Sequence, residues 1–324
     1  MAGNKEDFFV ALTECHFMNL QTMSEIAYYP DMKRWNDSVD GVLRAWAGRD
    51  LASEWPQPLA SELIRYMDEA RVDVAFCLRE PMMDITGGTA PMSTNGFMIQ
   101  QIEPYPGRMY LEANCGPVIR RGLEHALWEL EYLVKEREAK LCKMYQPEDL
   151  GPINDRRLWP FYAKAQELGV PLTVHTGNSY VVPQPGSHCD VRQLDDVMLA
   201  FPDLKVIAYH AGWPDTEALI GLCGKHRNLY MSLSGIIGWY QRAPYRGYHA
   251  IGTALQWMPA DKIVLGLDLP FDDTRRVVDY IRNLDMPEEL QKNWGYAQVS
   301  DEDKAKILGL NLARLTGIEP TKRI

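Results

Sequence analysis

The sequence lacks the features that mark several large classes of protein. No run of residues approaches the roughly 18 apolar positions of a membrane-spanning helix, and the charged N-terminus MAGNKEDFF has no apolar signal-peptide core. Lysine and arginine form no basic block and number 34 against 44 acidic residues, which gives a net charge of −10. We therefore expect neither a nucleic acid nor a membrane as a partner, and we predict a cytoplasmic protein.

Cysteine is sparse, and the six cysteines include no CxxC pair, so zinc-ribbon and thioredoxin-type motifs are unsupported. Most cysteines lie inside apolar runs, which favours reduced thiols in an intracellular protein. No low-complexity tract, linker or short-period repeat divides the 324 residues. The 46% of hydrophobic and 24% of charged residues are typical of a globular chain, and we predict one domain over residues 1–324.

Eight short apolar runs recur along the chain, and an amphipathic stretch follows each of them. Their length and composition are typical of strands buried on both faces. The runs lie at residues 9–15, 73–78, 109–115, 139–144, 171–175, 204–210, 228–233 and 262–267. Strands that alternate with helices predict a parallel sheet. Because no GxGxxG turn follows the first run, we favour a closed (β/α)8 TIM barrel over an open doubly wound sheet.

The stretches between the runs show the apolar spacing of helices. These predicted helices cover residues 58–71, 119–136, 191–200, 215–225, 248–258 and 274–284. A further helix begins near Asn154-Asp155 and ends at Gly169, with Pro160 either breaking it or lying in its first turn. Two segments are additions to the barrel: a Trp-rich insertion over 20–57, which is a lid or an oligomer interface, and C-terminal helices over 285–324 outside the barrel.

Side chains of the kinds that bind metals stand where the predicted strands end. They are Glu14 and His16 on the first strand, Lys143 on the fourth, His175 on the fifth, His210 on the sixth and Asp268 on the eighth. The carboxyl ends of barrel strands converge on one rim, where active sites lie. Glu14 and His16 are two residues apart, so in a regular strand both side chains point to the same side. Imidazole and carboxylate ligands suit Zn, Mn and Fe alike.

Candidates for substrate contacts come from the loops after the strands. Arg79 either binds a substrate carboxylate or forms a surface salt bridge. His188 belongs to a loop that should overhang the site, and Ser234 follows the seventh strand. The remaining candidates are Trp213 and Tyr240, whose aromatic rings suit an apolar pocket.

Five motifs together resemble the amidohydrolase superfamily, in the branch called amidohydrolase-2. They are TECHF (13–17), LTVHTG (172–177), YHAGWP (209–214), LGLDLPF (265–271) and KILGLNLARLTGI (306–318). The resemblance implies a (β/α)8 barrel with a divalent metal at its rim. Glu14, His16, His175 and Asp268 match the metal-site positions, and His210 matches a residue that is either a ligand or a group polarising the substrate.

Two positions depart from the common pattern of the superfamily. Glu14-x-His16 replaces the frequent HxH and resembles the aromatic-acid decarboxylases of the branch. Lys143 lies where binuclear members carry a carboxylated lysine that bridges two metals; the alternative is a lysine salt-bridged to Glu14 or Asp268. The resemblance therefore leaves one or two divalent ions per chain open.

The chemistry implied is hydrolysis or decarboxylation of a small carboxylate-bearing or cyclic substrate. A divalent ion lowers the pKa of bound water, and Asp268 serves as the acid and base, with His210 beside it. One alternative is a binuclear non-haem iron or manganese oxygenase with a carboxylated Lys143. Another is a catalytically silent structural subunit. Barrels of this branch commonly form dimers or tetramers, so we expect a homo-oligomer or a hetero-oligomer with related subunits.

Overall fold

A computed structural model describes residues 8–17, 59–80, 93–179, 185–235, 243–269 and 273–324 of the chain. The predicted insertion over 20–57 and the candidate Tyr240 lie outside these described residues. Within them, no helix is long and apolar enough to cross a membrane.

The strands of the described residues form one parallel sheet. They are β1 Ala11–His16, β2 Val74–Leu78, β3 Met109–Asn114, β4 Leu141–Met144, β5 Leu172–Val174, β6 Val206–Ala208, β7 Leu229–Ser232, β8 Ile263–Val264 and β9 Gly266–Leu269. Each strand pairs with the next in sequence from β1 to β8, and β9 pairs with β1. Because only Leu265 separates β8 from β9, they are two halves of one strand that closes an eight-stranded barrel. The predicted fold is confirmed.

Helices lie between the strands. Those in the described residues are α1 Ala60–Ala70, α2 Asn95–Ile102, α3 Val118–Arg121, α4 Leu123–Glu136, α5 Trp159–Leu168, α6 Leu194–Ala200, α7 Thr216–Lys225, α8 Pro244–Trp257, α9 Thr274–Arg282, α10 Glu288–Trp294, α11 Asp301–Ala305 and α12 Asn311–Thr316. The helix predicted over 119–136 is divided at Gly122, which has φ 102°. Pro160 lies in the first turn of α5, where its missing N–H costs nothing, and Gly169 ends that helix with φ 69°.

Apolar residues fill two layers of the barrel. Alternate side chains such as Ala75 and Cys77 pack outward against the helices, whereas Val74 and Phe76 belong to a second cluster on the other face. Leu312 and Leu315 of α12 join that second cluster. The last helix therefore covers apolar side chains of the strands, whereas the candidate polar residues lie at the carboxyl ends of the strands.

The break at Leu265 is tied to the C-terminal segment. Residues Lys306–Leu310 form a π-helical turn, and the Leu265 N–H donates to the Ile307 carbonyl over 3.1 Å. A π turn frees a carbonyl from the α-helical ladder, so Ile307 can accept this hydrogen bond. Gly309 allows the approach, because a Cβ there would lie 2.5 Å from the Phe9 carbonyl oxygen.

Candidate metal centre

Glu14 reaches the rim through a distortion of β1 and not through regular alternation. Its φ is +60°, and the pairing of β1 with both neighbours shifts register between residues 12 and 15. Such a bulge re-aims a side chain. The argument from alternation is therefore wrong for Glu14, although the outcome stands, because Glu14 Oε1 lies 3.9 Å from His16 Nε2.

Two further site residues also have left-handed backbones. His210 has φ +59° and Asp268 has φ +57°. Each such conformation costs a non-glycine residue roughly 1–2 kcal/mol, so the surrounding structure has to impose it. Strain of this kind at three candidate ligands indicates that the fold accepts an unfavourable backbone conformation at the rim in order to place these side chains.

The predicted ligands converge on one small volume. His16 Nε2 lies 3.4 Å from Asp268 Oδ1, and His210 Nε2 lies 3.5 Å from Glu14 Oε1. His175 Nδ1 is 2.9 Å from His210 Nε2. These contacts give two ligand sets, Glu14 with His175 and His210, and Glu14 with His16 and Asp268. Within each set the ligand atoms lie within 4.8 Å of one another, and Glu14 belongs to both.

A chain of hydrogen bonds fixes the histidine tautomers. The Ser234 carbonyl oxygen can only accept, so the proton of His210 lies on Nδ1, 3.1 Å away. In a neutral His210 the Nε2 then accepts from His175 Nδ1–H, which leaves a lone pair on His175 Nε2. Burial, with help from His210 and Lys143, holds the pKa of His175 well below its usual value, so its ring is neutral. That is the form that binds a metal.

Buried atoms without partners show that the residues fit a cation. His175 Nε2 and Glu14 Oε2 are buried, and neither has a hydrogen-bond partner among the residues that the structure describes. An unpaired buried acceptor costs about 1–3 kcal/mol, and more when it is charged. A divalent ion between these lone pairs would satisfy both of them, and imidazole with carboxylate is an ordinary donor set for such an ion.

Lys143 lies beneath this cluster as a buried cation. Its ammonium contacts the Glu14 carboxylate and stands 4.2 Å from the centre of the Tyr209 ring. Burial disfavours the charge, but Glu14, Glu80 and Glu112 outweigh burial and raise the pKa of Lys143. The structure thus places Lys143 in a salt bridge with Glu14, one of the two arrangements that the sequence left open.

Sequence reasoning missed two buried carboxylates at this centre. Glu112 of β3 accepts hydrogen bonds from Tyr209 Oη at 2.7 Å and Thr173 Oγ1 at 2.5 Å. Glu80 follows β2, and its Oε2 lies 3.6 Å from His16 Nδ1. Burial raises the pKa of both carboxyls, against the opposing effect of nearby cations. An acidic residue within or beside an apolar run was the available signal, because burying a charge is costly.

The candidates for substrate contact have different positions. Arg79 is buried, and its guanidinium donates to the carbonyls of Asn114 (2.6 Å) and Gly116 (2.7 Å), so it braces the end of β3 and is not a surface salt bridge. Ser234 is buried, and its hydroxyl accepts from the His210 N–H at 3.4 Å, so it positions His210.

The other two described candidates lie on the segments after β5 and β6. His188 is half-buried in a short 3-10 turn, Gly186–Cys189. Trp213 is half-buried, its ring packs against the apolar core, and its carbonyl accepts from the Asn178 N–H at 2.7 Å. The Nδ1 atom of His188 is buried and has no hydrogen-bond partner among the described residues.

Comparisons with known proteins agree with the fold. A family model described as amidohydrolase matches residues 105–318. A search of the curated proteins found no match. Among solved structures, an uncharacterised TIM-barrel protein from Bordetella bronchiseptica is 17% identical with a TM-score of 0.68, covering 95% of this chain and 98% of the other.

Two decarboxylase structures are similar to the chain at the same level. The 5-carboxyvanillate decarboxylase from Sphingomonas paucimobilis is 15% identical with a TM-score of 0.67, covering 97% of this chain and all (100%) of the other. A dihydroxybenzoic acid decarboxylase from Polaromonas sp. JS666, crystallised with manganese and 2-nitroresorcinol, is 18% identical with a TM-score of 0.63, covering 96% and 97%. At these identities the likeness shows a shared fold.

Proposed function

This chain belongs to the amidohydrolase family, and on that premise we propose that it is a metal-dependent decarboxylase acting on a small aromatic or other carboxylate-bearing acid. The observation that carries the proposal is that Glu14 lies in two ligand sets, one with His175 and His210 and one with His16 and Asp268, beside buried lone pairs that have no partner among the described residues. The decarboxylase names of two structural neighbours, one with bound manganese, support the choice of reaction.

Glu14, His16, His175 and Asp268 would hold one divalent ion, which is manganese, zinc or iron. His210 would lie beside this ion. When bound, such an ion supplies positive charge that fixes and polarises a substrate carboxylate or an adjacent oxygen. Lys143 adds a fixed positive charge beside Glu14, with which its ammonium is paired.

Asp268 is placed to move the proton. Its side chain is 18% exposed, against 1% for Glu14, so a substrate entering from the rim can reach it. Burial raises the pKa of Asp268, but in the metal-free protein the hydrogen bond from His16 and the positive charge nearby, including that of Lys143, lower it further, so the group begins ionised. It therefore takes a proton from a substrate hydroxyl or from water. Asp268 then gives that proton to the ring carbon that carries the carboxylate. The bond between this carbon and the carboxylate breaks, its electron pair stays on the ring carbon and forms the new C–H bond, and CO2 leaves.

His210 is held for a separate task. The Ser234 carbonyl fixes its tautomer, and its Nε2 lies 3.5 Å from Glu14 Oε1 and 2.9 Å from His175 Nδ1. That nitrogen accepts the His175 Nδ1–H, so it would have to release this hydrogen bond before it could bind the ion or exchange a proton with a substrate oxygen. Its orientation does not depend on the substrate.

The test is CO2 release from a panel of hydroxybenzoic acids by manganese-loaded protein, with and without dioxygen. We expect release that does not need dioxygen and that Asp268→Asn abolishes. Asp203→Asn, at an exposed aspartate paired with Arg227, is the matched control and should keep full activity. Full turnover by folded Asp268→Asn would overturn the mechanism.

One observation favours a second candidate. The two ligand sets share Glu14, as expected if that carboxylate bridged two ions. A binuclear oxygenase would need Lys143 to leave its salt bridge, lose its proton and become carboxylated. Turnover that requires dioxygen, with two ions per chain, would favour this candidate; a fold that binds no ion would favour a silent structural subunit.

A further inference from the structure

Glu80 is a buried carboxylate that the proposed reaction does not use. It follows β2, is 4% exposed, and its Oε1 is buried with no hydrogen-bond partner in the described part of the chain. Its backbone is held from both sides, because its N–H donates to Ser93 Oγ at 3.0 Å and its carbonyl accepts from the Ser93 N–H at 3.1 Å. The backbone of Glu80 is therefore fixed beside the candidate metal centre, and one oxygen of its carboxylate remains an unsatisfied acceptor.

The atom that faces Glu80 is itself unsatisfied. His16 Nδ1 is buried, has no hydrogen-bond partner within the described ranges, and lies 3.6 Å from Glu80 Oε2. The other nitrogen of the ring, Nε2, faces Asp268 Oδ1 at 3.4 Å and Glu14 Oε1 at 3.9 Å. The ring therefore stands between the proposed ion and Glu80, with one nitrogen toward each.

This arrangement has a chemical consequence for a bound ion. A neutral imidazole carries a single proton, so Nε2 can give its lone pair to a metal only when the proton is on Nδ1. An Nδ1–H needs an acceptor, and carboxylates commonly serve metal-bound histidines in this way. A ring movement of less than about 1 Å would bring Nδ1 within hydrogen-bond distance of Glu80.

We propose that Glu80 is a positioning residue that accepts the His16 Nδ1–H and so holds the ring with Nε2 toward the ion. The inference rests on the proposed function only in requiring a metal at this centre. Because Glu80 contacts a candidate metal-binding residue, His16, and not the substrate, replacing Glu80 should change the affinity for the metal. That affinity can be measured without turnover.

The experiment is a titration of metal-free full-length protein with Mn2+ alone, followed by competition with a chromophoric chelator. Glu80→Leu removes the acceptor and should weaken Mn2+ binding about 10–100-fold. Glu80→Gln keeps an acceptor oxygen and should stay within a few-fold of the wild type. Asp149→Asn is the matched control, because Asp149 is also buried at a strand exit but accepts from the N–H groups of Val118 and Ile119.

A double-mutant cycle separates positioning from a general structural effect. In a His16→Asn background, Glu80→Leu should cause no further loss of Mn2+ affinity, whereas a structural role would lower affinity in both backgrounds. Equal affinity of wild type and Glu80→Leu, or loss in both backgrounds, would overturn the inference. Should Glu80→Leu fail to fold, Glu80→Ala replaces it in the cycle. Wild-type protein that binds no divalent ion would instead overturn the proposed function.

Discussion

Replacing Lys143 by methionine separates the two roles that this lysine could have. Lys143 and Glu14 are each 1% exposed, and their side chains form an ion pair. Methionine fills a similar volume without charge, so the metal-free variant would bury Glu14 without its partner. Breaking a buried pair in this way costs about 3–5 kcal/mol. At about 2 °C per kcal/mol, the metal-free Tm should fall by about 6–10 °C.

The effect on metal binding should have the opposite sign. A cation in contact with Glu14 competes with a divalent ion for that carboxylate and repels it. Removing the charge should therefore raise Mn2+ affinity, by about tenfold for each 1.4 kcal/mol of repulsion relieved. The Tm deficit of Lys143→Met should accordingly shrink when Mn2+ is saturating, because the added stability grows with ligand concentration over Kd.

The assays are thermal unfolding with and without Mn2+ and a Mn2+ titration of the metal-free protein. Lys304→Met is the matched control, since Lys304 is also buried, 2% exposed, but pairs with Asp285 and Asp301, which are not candidate ligands. It should lower the Tm and leave Mn2+ affinity unchanged. Weaker Mn2+ binding by folded Lys143→Met would refute the reasoning, because a carboxylated lysine that binds metal predicts that loss.

Three other predictions follow from the same geometry. Gly235→Ala should lower Mn2+ affinity and turnover, because its Cβ would lie 2.7 Å from Asp268 Oδ2 and 2.9 Å from His210 Nδ1; Gly221→Ala, with open space around it, should not. Tyr209→Phe removes a donor to buried Glu112 and should lower the free energy of unfolding in urea by about 1–3 kcal/mol, and an unchanged value would show that this hydrogen bond is unimportant. Removal of metal by a chelator should lower stability by about 2.7 kcal/mol relative to protein held at 100 times Kd, and a Tm that does not depend on Mn2+ would contradict a metal site.

The sequence predicted the barrel well because buried parallel strands and amphipathic helices have distinct periodicities. It did not reveal that the eighth strand is broken at Leu265, since that break depends on a carbonyl of the distant π turn. It also gave no signal for α2, Asn95–Ile102, whose sequence NGFMIQQI contains an early glycine and no clear apolar stripe.

The positions of the candidate ligands were predictable for a different reason. His175 and Asp268 stand at strand ends, and strand ends meet in any parallel barrel. Glu14 was found by an argument that its bulge invalidates, because alternation cannot foresee a left-handed residue. Glu80 and Glu112 were missed because their roles depend on the side chains that they face. Glu80 faces His16 and Glu112 faces Tyr209, and these pairings are set by packing across the barrel.

The most direct test of the central claim is elemental analysis of purified protein, prepared without added chelator, for wild type, His175→Ala and His188→Ala. The account predicts one divalent ion per chain in the wild type, loss of that ion in His175→Ala and retention in His188→Ala. A wild type without metal, or a His175→Ala variant that keeps its ion, would contradict the proposed centre. Two ions per chain with iron among them would contradict the single-ion decarboxylase and favour the oxygenase.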